Sequence, residues 1–347
     1  MTVWCKEPFI HMDVIVENEQ VSYKPCNVYR DVFTTPNFDK VQEHLSKNEW
    51  APGCDYCKNQ EANGGVSRRI GINQLYKNKN IEDGIQGLSL RYGTLCNSVC
   101  VICDETRSSA WATKLIQKGL SIDQRYIFKK AAMPKLETIL ENIDTSTITH
   151  VDFHGGEPLL NTYPWQMLEL CNVPNLTVKI NTNGTVWPDY MELFKKCKST
   201  EIIFSIDDIN SRLEYLRPPA KFDNIVQNIN KSKQMGFKTS CTYTLSSLNI
   251  YYLPEFLLWG LKTFGLALYG QNMFDGSKFN LYNLNDYSKN KVLEKFDAYP
   301  QLKKLTSFAA TEMMKPKTKH DDALNNIIND NNFKNVFPDW WEILTHE

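Results

Sequence analysis

The sequence predicts an α/β fold built on a parallel sheet, closed or partly closed. Two patterns lead there: six short apolar or alternating runs recur from Gly87 onward, and the stretches between most of them carry apolar residues three or four apart. Strands that alternate with helices imply βαβ units. In chain order the strand runs are GLSLRYG (87–93), THVDFHGG (149–156), LTVKINTNG (176–184), EIIFSID (201–207), KTSCTYTL (238–245) and LALYGQNM (266–273). Helix-like stretches cover Tyr126 to Ile143, Trp165 to Cys171, Asp189 to Cys197, Phe222 to Met235 and Leu253 to Phe264. In a barrel of this kind the strand C-termini share one rim, where functional groups gather.

Either side of this alternating region the character changes. Residues 1–83 hold four cysteines and end in a polar, turn-rich passage, so a small N-terminal domain is expected there. The alternating domain covers 84–275, and 276–347 reads as a helical extension with a Trp-rich end, FPDWWEIL. In that end Trp340 and Trp341 are expected to pack a C-terminal helix.

Across the 347 residues, 39 Lys+Arg stand against 40 Asp+Glu, which removes the basic footprint of a protein bound mainly to phosphates. No 18-residue apolar run suggests a membrane helix, and the first residues lack a signal-peptide pattern, so a cytoplasmic location with no membrane partner is expected. In a reducing compartment the ten cysteines are read against metal patterns before disulfides.

The strongest pattern is Cys96, Cys100 and Cys103, a C-x3-C-x2-C loop directly after the first of the six runs. Three thiolates in so short a loop can hold three irons of a cubane, leaving the fourth iron open. A structural zinc would want a fourth ligand, and no other Cys or His lies nearby in sequence.

This loop resembles that of the radical S-adenosylmethionine (SAM) superfamily, and the later strand ends agree with it in order. Gly155, Gly156 and Glu157, in HGGEP, resemble the GGEP element that holds the SAM amino group: glycines permit close backbone approach and a carboxylate complements an ammonium. Asn181, in NTNG, resembles a methionine-end contact. Ser205 and Asp207 resemble the SxD pair that reaches the ribose, and Arg217 the downstream Arg that pairs with the SAM carboxylate, with Arg212 a less favoured substitute. Ile102 stands where the family commonly has an aromatic residue against adenine. The resemblance covers roughly residues 86–270 and implies a partial (β/α)6 radical SAM barrel. It also implies a 4Fe-4S cluster, reductive cleavage of SAM to a 5′-deoxyadenosyl radical, hydrogen abstraction from a substrate, and a reducing partner such as flavodoxin or ferredoxin.

Cys5, Cys26, Cys54 and Cys57, with Glu61 and Ser67-Arg68-Arg69, resemble the SPASM or twitch module that carries an auxiliary 4Fe-4S cluster, here placed before the barrel. Such an order is similar to that of bacterial and phage proteins. A structural zinc also suits one C-x-x-C plus two distant thiolates. Auxiliary-cluster relatives favour a peptide or protein substrate; a nucleotide, nucleic acid or small metabolite is the alternative, and a non-catalytic iron-sulfur sensor is the reading from another class. Arg68 and Arg69 are expected to lie beside the barrel rim, available to an anionic substrate group. Cys171, Cys197 and Cys241 are read as small buried hydrophobes, and His154 as a structural histidine.

Overall fold

The computed structural model describes residues 2–62, 64–272, 278–315 and 322–346. It contains an eight-stranded sheet of order β2-β1-β3-β4-β5-β6-β7-β8. All six expected strands are present: β3 (Gly87–Tyr92), β4 (His150–His154), β5 (Thr177–Thr182), β6 (Ser199–Ser205), β7 (Lys238–Leu245) and β8 (Leu268–Asn272). Met273, at the end of the last expected run, lies outside the described residues.

Two further strands come from the N-terminal region: β1 (His11–Glu17) and β2 (Gln20–Lys24) form an antiparallel hairpin, with Asn18 turning it at φ 52°. Strand β1 runs parallel to β3 from His11↔Gly87 to Val16↔Tyr92. The N-terminal segment therefore shares a sheet with the strands that follow residue 83. Contacts group the chain into Met1–Cys96, Glu105–Asn181 and Pro188–Glu201 as one unit, and Asn97–Asp104, Thr182–Trp187 and Ile202–Glu347 as a second. The physical reason is the ladder: six paired residues of β1 join the N-terminal segment to the same sheet as β3.

In the first unit the alternation expected of a half-buried strand is complete. Met12, Val14 and Val16 on β1, Leu88 and Leu90 on β3, Val151 and Phe153 on β4, and Val178 and Ile180 on β5 are all buried, forming one apolar face. The opposite face is polar. Register places Asp13, Ser89, Asp152 and Lys179 in one transverse row, with Arg91 and His154 in the next. The first crossover helix is Ser109–Gln117, capped by the Ser108 hydroxyl accepting from Trp111 N–H. The helix expected over 126–143 reduces to turns and a short helix, Leu136–Ile139, and 189–196 is a 3₁₀ helix.

In the second unit β7 and β8 pair in parallel. Helix Phe222–Gln234 buries Phe222, Ile225, Ile229 and Ser232, spaced three or four apart. Helix Leu253–Phe264 begins with Pro254 in its first turn and stops at Gly265, whose φ of 61° suits glycine. Helices Asp286–Asp297, Lys303–Met313, Asp322–Ile328, Asn331–Val336 and Pro338–Leu344 make up the C-terminal part. Trp340 is fully buried, donates its indole N–H to Ser247 O at 2.8 Å and stacks on Tyr251. Cys241 and Tyr243 share the buried face of β7, and Tyr243 packs edge-on against Phe256, so Cys241 is a core residue as expected.

Candidate active site and cysteine pocket

The loop after β3 carries Cys96 in the first unit and Cys100 and Cys103 in the second. Cys96 is fixed through its backbone: its N–H donates to Ser109 Oγ at 3.1 Å, and Ser109 Oγ returns a bond to Cys96 O at 3.2 Å. Beneath it, Glu157 N–H donates to Leu95 O at 2.7 Å. Gly155 and Gly156 have φ of 83° and 27°, and a Cβ on Gly156 would lie 2.1 Å from Leu95 O. Both glycines thus serve an approach of loop to loop, which brings the GGEP segment against the residues leading into Cys96.

Glu157 is fully buried and its Oε1 accepts from Leu159 N–H at 3.0 Å, capping the turn Pro158–Leu160. Asn181 Nδ2 lies 2.6 Å from His154 Nδ1, tying the ends of β4 and β5. Burial lowers the His154 imidazole from its ordinary value, which favours the neutral ring that such a bond uses. Two residues earlier on β4, burial would raise the Asp152 carboxyl, but His150 at 2.9 Å holds it down at about 2.

In the second unit the backbone of the cysteine loop is paired: Val99 N–H donates to Pro218 O and Val101 N–H to Leu216 O, each at 2.8 Å. Ile102 is half-buried there. Arg217, between those two acceptors, donates Nε–H to Asp207 Oδ2 at 2.7 Å. Burial alone would lower the guanidinium, but Asp207 and the neighbouring Cys100 and Cys103 raise it. Asp207 also accepts Thr244 N–H on Oδ1 at 2.8 Å, so its two oxygens anchor Arg217 and β7. Ser205 is half-buried at the end of β6, pointing opposite Phe204. Arg212 pairs with Asp208 at 2.9 Å and lies over the Tyr252 ring, which commits it elsewhere.

Several site residues are not evident from the motifs. Asn183 Nδ2 donates to Asn97 Oδ1 at 2.9 Å and Ser98 Oγ at 3.1 Å, while its Oδ1 accepts from Thr185. Asn97 Nδ2 in turn reaches Thr185 Oγ1 at 2.9 Å. The NTNG loop therefore clasps the cysteine loop, and the Asn-x-Asn spacing is the signal that could have shown it. We expect Asn183→Ala to cost about 2 kcal/mol of local stability by stranding buried partners, read as faster amide hydrogen exchange at 97–101.

The four early cysteines all lie in the first unit and line one pocket, together with Glu7, Trp50 and Arg69. Burial pushes the Cys5 thiol up to about 12, Cys54 up to about 11 and Cys26 well above its ordinary value. Bound positive charge would reverse that direction, as it does for any coordinated thiol. Among the described residues no group of three or more His, Cys, Asp or Glu side chains converges on a single-ion site. Arg68 and Arg69 do not offer themselves to a ligand as expected. Arg68 Nε is 3.0 Å from both oxygens of Glu7, and Arg69 binds Glu61 through two nitrogens at 2.9 and 2.6 Å.

With this geometry in place, a family model described as the radical SAM superfamily matches residues 90–257. Residues 90–257 match the radical SAM superfamily. A curated relative, mycofactocin maturase MftC from Mycolicibacterium smegmatis, is 20% identical over 46% of this chain and 38% of its own length. Another, 7-carboxy-7-deazaguanine synthase from Aquifex aeolicus, is 27% identical over 36% of this chain and 50% of its own. This chain thus spans half or less of the curated relatives it matches. Among solved structures, Streptococcus suis SuiB bound to S-adenosylmethionine aligns at 12% identity and TM-score 0.43, over 94% of this chain and 76% of that one. The radical SAM superfamily implies a 4Fe-4S cluster and SAM. Among the described residues no helix is long and apolar enough to cross a membrane.

Proposed function

We propose that the chain is a radical SAM enzyme in which Cys96, Cys100 and Cys103 hold the SAM-binding 4Fe-4S cluster and Cys5, Cys26, Cys54 and Cys57 hold an auxiliary one. The observation that carries this is the ordered set of strand-end motifs inside the matched segment. When bound, the cluster and SAM supply reductive carbon–sulfur cleavage and a 5′-deoxyadenosyl radical that takes hydrogen from substrate. The chain's own part is to hold and orient. Glu157 and the backbone of Gly155 and Gly156 face the SAM ammonium, Asn181 the methionine end, Ser205 the ribose, Ile102 the adenine, and Arg217 the carboxylate, held at its Nε by Asp207. Asp207, paired with Ser205 for the ribose, also steadies the carboxylate-binding Arg217 and anchors it to β7.

For the early pocket, the donor set fits a cluster: four cysteines line one cavity. A zinc site would draw its sulfurs to about 2.3 Å from a common point, whereas a cubane spreads them wider. We take the substrate to be a peptide or protein side chain, because a second cluster gives an acceptor for the electron left after oxidation or crosslinking. The name of MftC, a maturase, accords with this reading, and the deazaguanine synthase keeps a small heterocycle as the second one.

Metal analysis tests the two-cluster assignment. Anaerobically reconstituted protein is expected to carry iron and sulfide for two clusters, and replacing Cys5, Cys26, Cys54 and Cys57 with Ala is expected to halve both. Zinc bound by the early cysteines, with iron unchanged by their replacement, would overturn the auxiliary assignment.

A further inference from the structure

The buried guanidinium of Arg69 lies on the wall of the four-cysteine pocket, and its bonds join two of the segments that carry the cysteines. Its Nε and Nη2 bind Glu61, in the helix Asp55–Ala62 that contains Cys57. Its Nη1 donates to Trp4 O at 2.9 Å, the carbonyl immediately before Cys5. The ring of Trp50, also on the pocket wall, lies 5.5 Å beneath the guanidinium. From the same helix, Arg68–Leu75, Asn73 Nδ2 donates to Trp4 O at 2.7 Å and Asn73 Oδ1 accepts from Lys6 N–H at 2.8 Å. Cys5 is thus held by its backbone on both flanks. The Arg69 and Glu61 side chains are only 7% and 5% exposed, so little solvent screens their charges from the cysteines.

We infer that Arg69 is a positioning residue for the early pocket: with Glu61 it sets Cys5 against Cys57, and the opposed charges of the pair tune the reduction potential of the group bound there. The inference rests on the reading of the four cysteines as an iron-sulfur site. An Arg fork suits this role because it satisfies a carboxylate and a carbonyl at once in fixed geometry, which Lys cannot do. Net charge near a cluster shifts its potential, and a nearby positive charge stabilises the reduced form.

The test uses the full chain with Cys96, Cys100 and Cys103 replaced by Ala, so that the early pocket is the iron site under study. Iron, sulfide and zinc are counted, and the midpoint potential is read by an EPR-monitored titration. Arg69→Gln should lower the potential and Glu61→Gln should raise it, while Arg69→Lys should stay near the parent potential with reduced iron loading. Opposite shifts from two variants of one pair cannot come from a general loosening of the fold. Unchanged potentials with full iron in both Gln variants, or shifts of the same sign, would overturn the role of Arg69. Zinc without iron in the parent protein would instead overturn the reading of the pocket itself, so the two failures are distinguishable.

Discussion

Gly156→Ala is expected to leave a protein that folds poorly or lacks SAM binding, because the new Cβ would fall 2.1 Å from Leu95 O and 2.7 Å from Leu95 C. Those atoms are backbone and cannot rotate away. They also belong to the residue that accepts Glu157 N–H and precedes Cys96, so relief of the clash must move the cysteine loop. Together with the left-handed φ of 27°, the cost is roughly 3 kcal/mol or more. Gly119→Ala is the control: its φ is 76° but nothing lies within 4 Å of a Cβ there, so only about 1 kcal/mol is expected. Thermal unfolding of the two variants checks this. Equal stability of both would show that the GGEP loop does not depend on that approach.

The second large effect concerns the cluster loop. Replacing Cys96, Cys100 and Cys103 together with Ala is expected to abolish SAM cleavage, while the iron of the early pocket remains. The early pocket should survive because its four cysteines, Arg69 and Glu61 are all in the segment up to Cys96, where Arg69 is bonded to Glu61 and to Trp4 O beside Cys5. Iron content and 5′-deoxyadenosine release from the same preparation read both halves of this expectation. Loss of all iron would show that the two cysteine groups are not independent.

The strands from Gly87 onward were legible because they read as short apolar or alternating runs set between longer helix-like stretches. Helix Leu253–Phe264 matched its expected span, since Pro254 and Gly265 mark its ends in the sequence. The β1–β2 hairpin carries the same period-two signal in HMDVIVE, but its polar positions, His11 and Asp13, and the cysteines around it suggested a separate module instead. What decides its place is pairing with residues more than seventy positions later, which local pattern does not encode. The crossover helix Ser109–Gln117 was passed over in favour of 126–143, where apolar spacing is helical but no long helix forms.

The candidate site divides in the same way. Residue types and order were legible from the motifs, whereas partners were not. That Asp207 holds Arg217 and that Asn183 clasps Asn97 follow from loops brought together by the fold. Arg68 and Arg69 read as free basic residues in a polar connector, and only long-range and medium-range contacts with Glu7 and Glu61 show them to be internal.

Release of 5′-deoxyadenosine tests the central claim most directly. Anaerobically reconstituted protein, reduced with dithionite and incubated with SAM in the absence of any substrate, is expected to form 5′-deoxyadenosine slowly, in an amount that grows with time and that chromatography with mass detection can follow. The account predicts that product from the unmodified chain and none from the protein with Cys96, Cys100 and Cys103 replaced. A fully iron-loaded, reduced protein that binds SAM and yields no 5′-deoxyadenosine, with or without extracts supplying candidate peptides, would contradict it.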